Sequence, residues 1–193
     1  MSSMIKSTVA VLLLAGISGC AGTNFVRPDS DSLKNGQTTY SQVTAKFGQP
    51  RQEGSVIKNE QTLKTATYAY ASMGGKPLNE GVTAARAAGF YFHNDVLVGY
   101  EFISSWAEDH TNFDESRIKD IVKGKTTRAE ITQLMGKPGG YHIFPLIKAA
   151  TGEAAVYAYM EVKGFTPFRK ELRVTFDNAG VVTDVEFSSS GRK

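Results

Sequence analysis

The chain has 193 residues, of which 41% are hydrophobic and 21% are charged, as in ordinary globular proteins, so a disordered or membrane-spanning body is not expected. The 22 basic and 19 acidic residues give a formal charge of +3. Because these charges are spread along the chain without a basic run that would follow a phosphate backbone, nucleic-acid binding is not expected either.

The N-terminal region has the pattern of a secretory signal peptide. Lys6 precedes an apolar stretch at residues 9–15, which is much shorter than the roughly 20 residues needed to span a bilayer. Residues 17–20, ISGC, resemble the lipobox of bacterial lipoproteins, in which the cysteine is acylated and becomes the mature N-terminus. Cys20 is the only cysteine, which excludes an internal disulfide. We predict a signal peptide at residues 1–19 and lipidation of Cys20; an ordinary cleaved signal with an incidental cysteine is the alternative.

The residues around the cysteine also predict a location. Several acyl chains hold a lipoprotein on a membrane more stably than a single chain does. The residue directly after the cysteine is Ala21 and not aspartate. In this respect the chain resembles Gram-negative lipoproteins that are sorted to the outer membrane. We therefore expect a protein anchored in the outer membrane and facing the periplasm, with the polar, turn-rich residues 20–32 as a tether.

A short pattern occurs twice in the chain. Residues 35–50 read NGQTTYSQVTAKFGQP, and residues 123–138 read KGKTTRAEITQLMGKP. The similarity continues downstream, where TYAYA at residues 67–71 corresponds to VYAYM at residues 156–160. The offset between the copies drifts by a few residues, as insertions in loops produce. We interpret the pattern as two copies of one supersecondary unit.

Each copy begins with the signals of a short helix. A threonine and a glutamine or glutamate three residues later form a capping box, in which each side chain accepts a hydrogen bond from a backbone donor at the helix start. The pairs are Thr39 with Gln42 and Thr127 with Glu130. Gly48 and Gly136 then end the helices. A preceding short helix is predicted at residues 115–123, with a counterpart at residues 30–35.

Segments rich in β-branched and aromatic residues follow each helix and predict strands. They lie at residues 66–73, 89–93 and 96–103 in the first copy and at residues 155–162, 171–176 and 181–187 in the second. We therefore predict an α+β fold of two tandem repeats, at residues 33–105 and 115–190, each with two short helices packed on an antiparallel β-meander.

Alternation along the predicted strands suggests which side chains face away from the helices. Val156, Ala158 and Met160 suit a helix-covered face better than the tyrosines between them. By elimination the uncovered face is predicted to carry Tyr68, Tyr70, Tyr91, Tyr157, Tyr159 and Arg173. Two interpretations remain open: the tyrosines pack across strands and stabilise the sheet, or they form a protein-binding surface, in which tyrosine is enriched.

Two apolar turns are further candidates. Residues 143–147, IFPLI, place Phe144 in an apolar loop, for which burial against the other copy is the alternative to protein binding. Residues 164–168, GFTPF, form a predicted hairpin tip of similar character. If exposed, these segments are contact points near lipid or a partner barrel.

The chain offers few residues for chemistry. His93, His110 and His142 lie in different segments and lack the spacing of a helical metal pair. Glu101 and Glu186 occupy equivalent positions in the two copies, which duplication explains without a catalytic pair. No serine lies in a G-x-S-x-G turn. We predict no catalytic residue, no metal and no cofactor, and a protein that is not an enzyme.

The repeated motif G-x-T-T, followed by an apolar pair four residues apart and then G-x-P, is similar to that of the BamE (SmpA/OmlA) type of outer-membrane lipoprotein. The resemblance covers residues 30–105 and 115–190. It implies two helices packed on an antiparallel sheet, and an accessory role in the insertion of β-barrels into the outer membrane. Two tandem copies also resemble the layout of β-lactamase inhibitor protein, which binds its target with a concave sheet face.

Together these features predict a non-catalytic protein-binding module that acts in envelope or outer-membrane protein assembly. The expected partners are the membrane, through the acyl chains, and an envelope protein such as an outer-membrane barrel or its assembly machinery. A proteinaceous inhibitor of a periplasmic or extracellular enzyme is the alternative, and titration against envelope hydrolases discriminates between the two.

Overall fold

The structure, a computed structural model, describes residues 22–191. The predicted signal peptide at residues 1–19 and the predicted lipidation site Cys20 lie outside the described residues. The elements in chain order are α1 (Tyr40–Phe47), β1 (Gln52–Lys58), β2 (Gln61–Ser72), β3 (Ala84–His93), β4 (Val96–Ser104), two 3-10 helices (Ala107–Asp109 and Glu115–Asp120), α2 (Arg128–Met135), β5 (Gly140–His142), β6 (Glu153–Lys163), β7 (Thr166–Phe176) and β8 (Val182–Gly191).

All eight strands belong to one sheet in the order of the chain, with antiparallel neighbours and one parallel contact between β4 and β6. The prediction of two tandem helix-plus-meander repeats is therefore wrong. The two halves join because β5 pairs with β4, placing Tyr141 opposite Tyr100. Gly140 permits this close approach, since a Cβ there would lie 1.9 Å from the Tyr100 carbonyl oxygen.

The capping boxes predicted for the two helices are confirmed. Thr39 accepts a hydrogen bond from the Gln42 backbone and donates its own backbone N–H to the Gln42 side chain, and Thr127 and Glu130 repeat this arrangement. Gly48 follows α1 with a φ of 80°. The helix predicted at residues 115–123 is a shorter 3-10 helix at Glu115–Asp120, and residues 30–35 form turns instead of a helix.

The core lies on the face of the sheet that α1 and α2 cover, in two clusters with Tyr141 packed against both. The first cluster contains Val43 of α1, and the second contains Ile131 and Met135 of α2. The largest fully buried side chains of the strands are Tyr159, Phe90, Phe92, Phe102 and Phe176. Each helix has only eight residues, about 12 Å of length, so each covers only part of the sheet.

Part of the segment predicted as a tether packs against the sheet. Phe25 is only 9% exposed and contacts the rings of Tyr68 and Phe102, each with a centroid distance of 6.2 Å. The Arg27 guanidinium donates to the carbonyl oxygens of Lys137 and Pro138, each at 2.7 Å. The fold therefore begins near Phe25, well before the end of the predicted tether.

A group of charges, with Arg86 and Asp109 buried and Glu108 exposed, joins this N-terminal segment to the sheet. Arg86 of β3 is 4% exposed and donates to the Phe25 carbonyl oxygen at 2.7 Å. Its Nε lies 3.2 Å from Asp109 Oδ2, and its Nη2 lies 2.8 Å from Glu108 Oε1. Asp109 also accepts a hydrogen bond of 2.6 Å from the Ser104 hydroxyl. We call these residues the Arg86 cluster; each buried charge in it has an opposite charge beside it.

Within residues 22–191, the helices are all too short or too polar to cross a bilayer.

Candidate functional site

Most of the tyrosines predicted to be exposed are buried on the helix-covered face. Tyr68, Tyr157 and Tyr159 are 4%, 3% and 2% exposed, and the first two belong to the core clusters under α1 and α2. Tyr70 is half-buried on the same face and stacks on Trp106 with a centroid distance of 6.1 Å. The prediction that these four form an uncovered surface is wrong; Tyr91 alone among the five lies on the opposite face, paired across from Gly99.

The physical reason is that a tyrosine ring packs in a core while its hydroxyl group finds a polar partner. Tyr68 packs in the cluster that contains Val43 of α1, and Tyr157 packs in the cluster that contains Ile131 and Met135 of α2. The Tyr68 hydroxyl donates to the Gly48 carbonyl oxygen at 2.9 Å, and the Tyr159 hydroxyl donates to Glu161 at 2.6 Å. Burial raises the pKa of the Tyr68 hydroxyl to about 12. The small residues Val156 and Ala158, assigned to the helices by elimination, face the other way.

The face opposite the helices carries a set of alternating charges. Arg173 on β7 lies 3.2 Å from Glu171 and 2.9 Å from Glu186 on β8, and Arg169 lies 2.8 Å from Glu171. On β3 and β4, the Tyr91 hydroxyl donates to Glu101 at 3.1 Å. We call this surface the charged face, with Tyr91, Glu101, Arg169, Glu171, Arg173 and Glu186 as its members.

The two groups of the charged face interact across the sheet. Burial is the larger cause, and the negative charge of Glu171 the smaller, that raises the pKa of the Glu101 carboxyl. Burial and the neighbouring Glu101 charge raise the pKa of the Tyr91 hydroxyl. Because Glu101 is on β4 and Glu171 is on β7, the charged face includes strands from both halves of the chain.

Residues 143–149 lie on the same face, at the end of the sheet where β5 stops. Asn59 in the β1–β2 turn donates to the carbonyl oxygens of Pro145 and Ile147, at 3.0 and 2.8 Å. Ile147 is buried, whereas Phe144 remains 38% exposed. A cleft of about 330 Å³ separates residues 145–149 from β7 and β8, and Arg173 and Glu186 line it. The segment is therefore fixed by its backbone, and the exposed Phe144 directly precedes the residues that line the cleft.

His142 lies beneath this segment and is 2% exposed. Its ring packs edge-on to Tyr91 with a centroid distance of 5.7 Å. Neither ring nitrogen has a hydrogen-bond partner among residues 22–191. Burial, followed by the positive charges of Arg173 and Lys58, lowers the pKa of the imidazole to about 3. His142 is therefore a neutral packing residue at neutral pH.

We expect His142 to make the stability of the fold pH-dependent. The folded pKa of about 3 lies below the ordinary value of 6.5, so between these values the unfolded chain binds a proton that the folded protein does not. Stability therefore falls as the pH falls through this window. From pH 7 to pH 5, the native protein is expected to lose about 2 kcal/mol more of its unfolding free energy than His142→Gln does. Urea titrations of both proteins measure this difference, and parallel pH profiles would contradict it.

Sequence reasoning identified Tyr91 and Arg173 and also named Glu101 and Glu186, but it missed the other two members of the charged face. Glu171 and Arg169 were not selected, and the strand predicted at residues 171–176 excluded Arg169. The available signal was the spacing of Arg169, Glu171 and Arg173, because alternate residues of a strand share one face.

Comparisons with known proteins find no match to this chain, neither among family models, nor among curated proteins, nor among solved structures. Within the part of the chain that the structure describes, no group of three or more His, Cys, Asp or Glu side chains is placed to hold a metal ion.

Proposed function

We propose that the protein is a lipid-anchored, non-catalytic protein-binding module of the bacterial cell envelope that acts in outer-membrane protein assembly. The observation that carries this proposal is the charged face, together with the cleft that residues 145–149 form with Arg173 and Glu186. Arginine and aromatic side chains are enriched at protein interfaces, where they contribute most of the binding energy. The motif and lipobox that resemble those of BamE-type lipoproteins support the same assignment.

The arrangement of the charged face suits protein binding in a further way. Glu171 and Glu186 hold the Arg173 side chain from two sides, and the Arg173 side chain is 27% exposed. A side chain that is already ordered loses less conformational entropy when a partner binds. Acidic and basic groups alternate along the strands, so a partner with complementary charges is selected over one with a uniform charge. The exposed Phe144, which directly precedes the residues that line the cleft, adds an apolar contact.

The anchor is tested by Cys20→Ser in a host that processes lipoproteins. We expect the native protein to fractionate with the outer membrane and Cys20→Ser to appear in the soluble periplasmic fraction, because the acyl chains are lost. Thr23→Ser, three residues further on, is the matched control and is expected to stay with the membrane. Unchanged membrane fractionation of Cys20→Ser would remove the anchor from the proposal.

A further inference from the structure

We propose that the end of the sheet formed by the β2–β3 and β6–β7 turns rests on the lipid bilayer, with Met73 and Phe165 inserted among the lipid chains. This inference rests on the proposed lipid anchor at Cys20. It assigns a membrane-contact surface to the folded body, in addition to the acyl chains.

Two large apolar side chains project from this end of the sheet. Phe165 in the β6–β7 turn is fully exposed, and Met73 in the β2–β3 turn is 92% exposed. Leu78, also in the β2–β3 turn, is 44% exposed. Single exposed apolar residues are common, but a group of them on neighbouring turns indicates a contact with a protein or a membrane.

The two turns are held together as one platform. Val82 forms an isolated β-bridge with Lys163, and the Thr83 backbone N–H donates to the Val162 carbonyl oxygen at 3.3 Å. Asn79 of the first turn donates to Glu161 at 2.6 Å. These contacts hold the β2–β3 turn against the end of β6, so the two turns form one end of the sheet.

The first described residue, Gly22, lies near this same end. Gly22 packs against the β2 backbone so closely that a Cβ on it would lie 2.0 Å from the Ala69 carbonyl oxygen. Cys20 is two residues earlier, and two extended residues span at most about 7 Å. Ala69 is four residues before Met73, which is about 13 Å along a strand. When the spacing of about 5 Å between the adjacent backbones is added, the acyl chains start within about 25 Å of the Met73 tip, and the short connection draws this end of the sheet to the bilayer.

This orientation leaves the proposed protein-binding surface accessible. The strands alternate in direction, so the β1–β2 turn and residues 143–149 lie at the opposite end of the sheet from Met73 and Phe165. Phe144 and the cleft beside it then point away from the membrane, toward partners in the periplasm.

Lipid contact can be measured with fluorophores on the lipidated full-length mature protein. Because Cys20 is acylated in that protein, an introduced cysteine is the only free thiol. Gly74→Cys and Thr166→Cys place an environment-sensitive label beside Met73 and Phe165 and leave both side chains intact. Ala179→Cys labels the exposed β7–β8 turn at the opposite end as the matched control. Each protein is reconstituted into phosphatidylcholine vesicles that contain nitroxide-labelled lipid.

We expect quenching by the nitroxide lipid to be at least threefold stronger at positions 74 and 166 than at position 179. Replacing both Met73 and Phe165 with serine is expected to reduce quenching at position 166 at least twofold while the protein still floats with the vesicles. Flotation of the lipidated protein with equal quenching at all three positions would overturn the inference and leave the anchor standing. Failure of the lipidated protein to float would remove the anchor itself, and the inference with it.

Discussion

Arg86→Ala is expected to lower the free energy of unfolding by about 3–5 kcal/mol, because it leaves a buried carboxylate without its counter-charge. In the native protein the guanidinium contacts Asp109, Glu108 and the Phe25 carbonyl oxygen, and its carbon lies 4.3 Å from the centroid of the Trp106 ring. Alanine removes all of these contacts. Because Phe25 belongs to the N-terminal segment, that segment is also expected to loosen from the sheet in the variant.

Denaturant titration measures the loss. If the dependence of the unfolding free energy on denaturant concentration is unchanged, the loss appears as a lower denaturant concentration at half-unfolding. Arg117→Ala is the matched control, since Arg117 pairs with Asp120 at 2.8 Å but its side chain is 48% exposed. An exposed pair of this kind contributes less than about 1 kcal/mol. If Arg86→Ala were no more destabilised than Arg117→Ala, the Arg86 cluster would not hold the N-terminal segment in place.

Tyr157→Ala is the second substitution with a large expected effect, a loss of about 3–5 kcal/mol of unfolding free energy. The Tyr157 ring is 3% exposed and lies in the core cluster under α2, with its centroid 6.2 Å from that of Phe113. Removing it leaves a cavity that the surrounding strands cannot fully close.

Phe165→Ala is the control for Tyr157→Ala, because it removes a ring of similar size that is fully exposed. We expect its stability to change by less than about 0.5 kcal/mol. Equal stability of the two variants in urea would mean that Tyr157 is exposed after all, as the sequence alone had suggested.

Local signals in the sequence predicted local structure well. The capping boxes at Thr39 and Thr127 identified both α-helices, because their hydrogen bonds depend on residues three positions apart. Strand β1, in contrast, was missed, since Gln52–Lys58 is mostly polar and exposed and shows no alternation. The start of β3 was missed because alanine has a low preference for strands.

Long-range structure was harder to predict, as the join between the two halves shows. The pairing of β4 with the three-residue strand β5 depends on Gly140, whose role becomes visible only when the Tyr100 backbone lies against it. The assignment of sheet faces failed for a related reason. Hydrophobicity favoured Val156 over Tyr157 for the helix-covered face, whereas the strand pairing places Tyr157 opposite Leu172, in the core cluster under α2. Of the charged face, the sequence supplied Tyr91, Glu101, Arg173 and Glu186, and the pairing of strands supplied Arg169 and Glu171.

The proposed function depends on the charged face, and photo-crosslinking in cells tests it most directly. A photo-crosslinking residue is placed at Arg173 and, as a matched control, at the exposed Gln133 of α2 in the lipidated protein. The proposal predicts that position 173 captures an outer-membrane barrel or a subunit of its assembly machinery and that position 133 does not. Capture of a soluble hydrolase at position 173 would instead indicate that the protein acts as an enzyme inhibitor and not in assembly. Capture of the same proteins at both positions, or at position 133 alone, would contradict the assignment of the charged face as the binding surface.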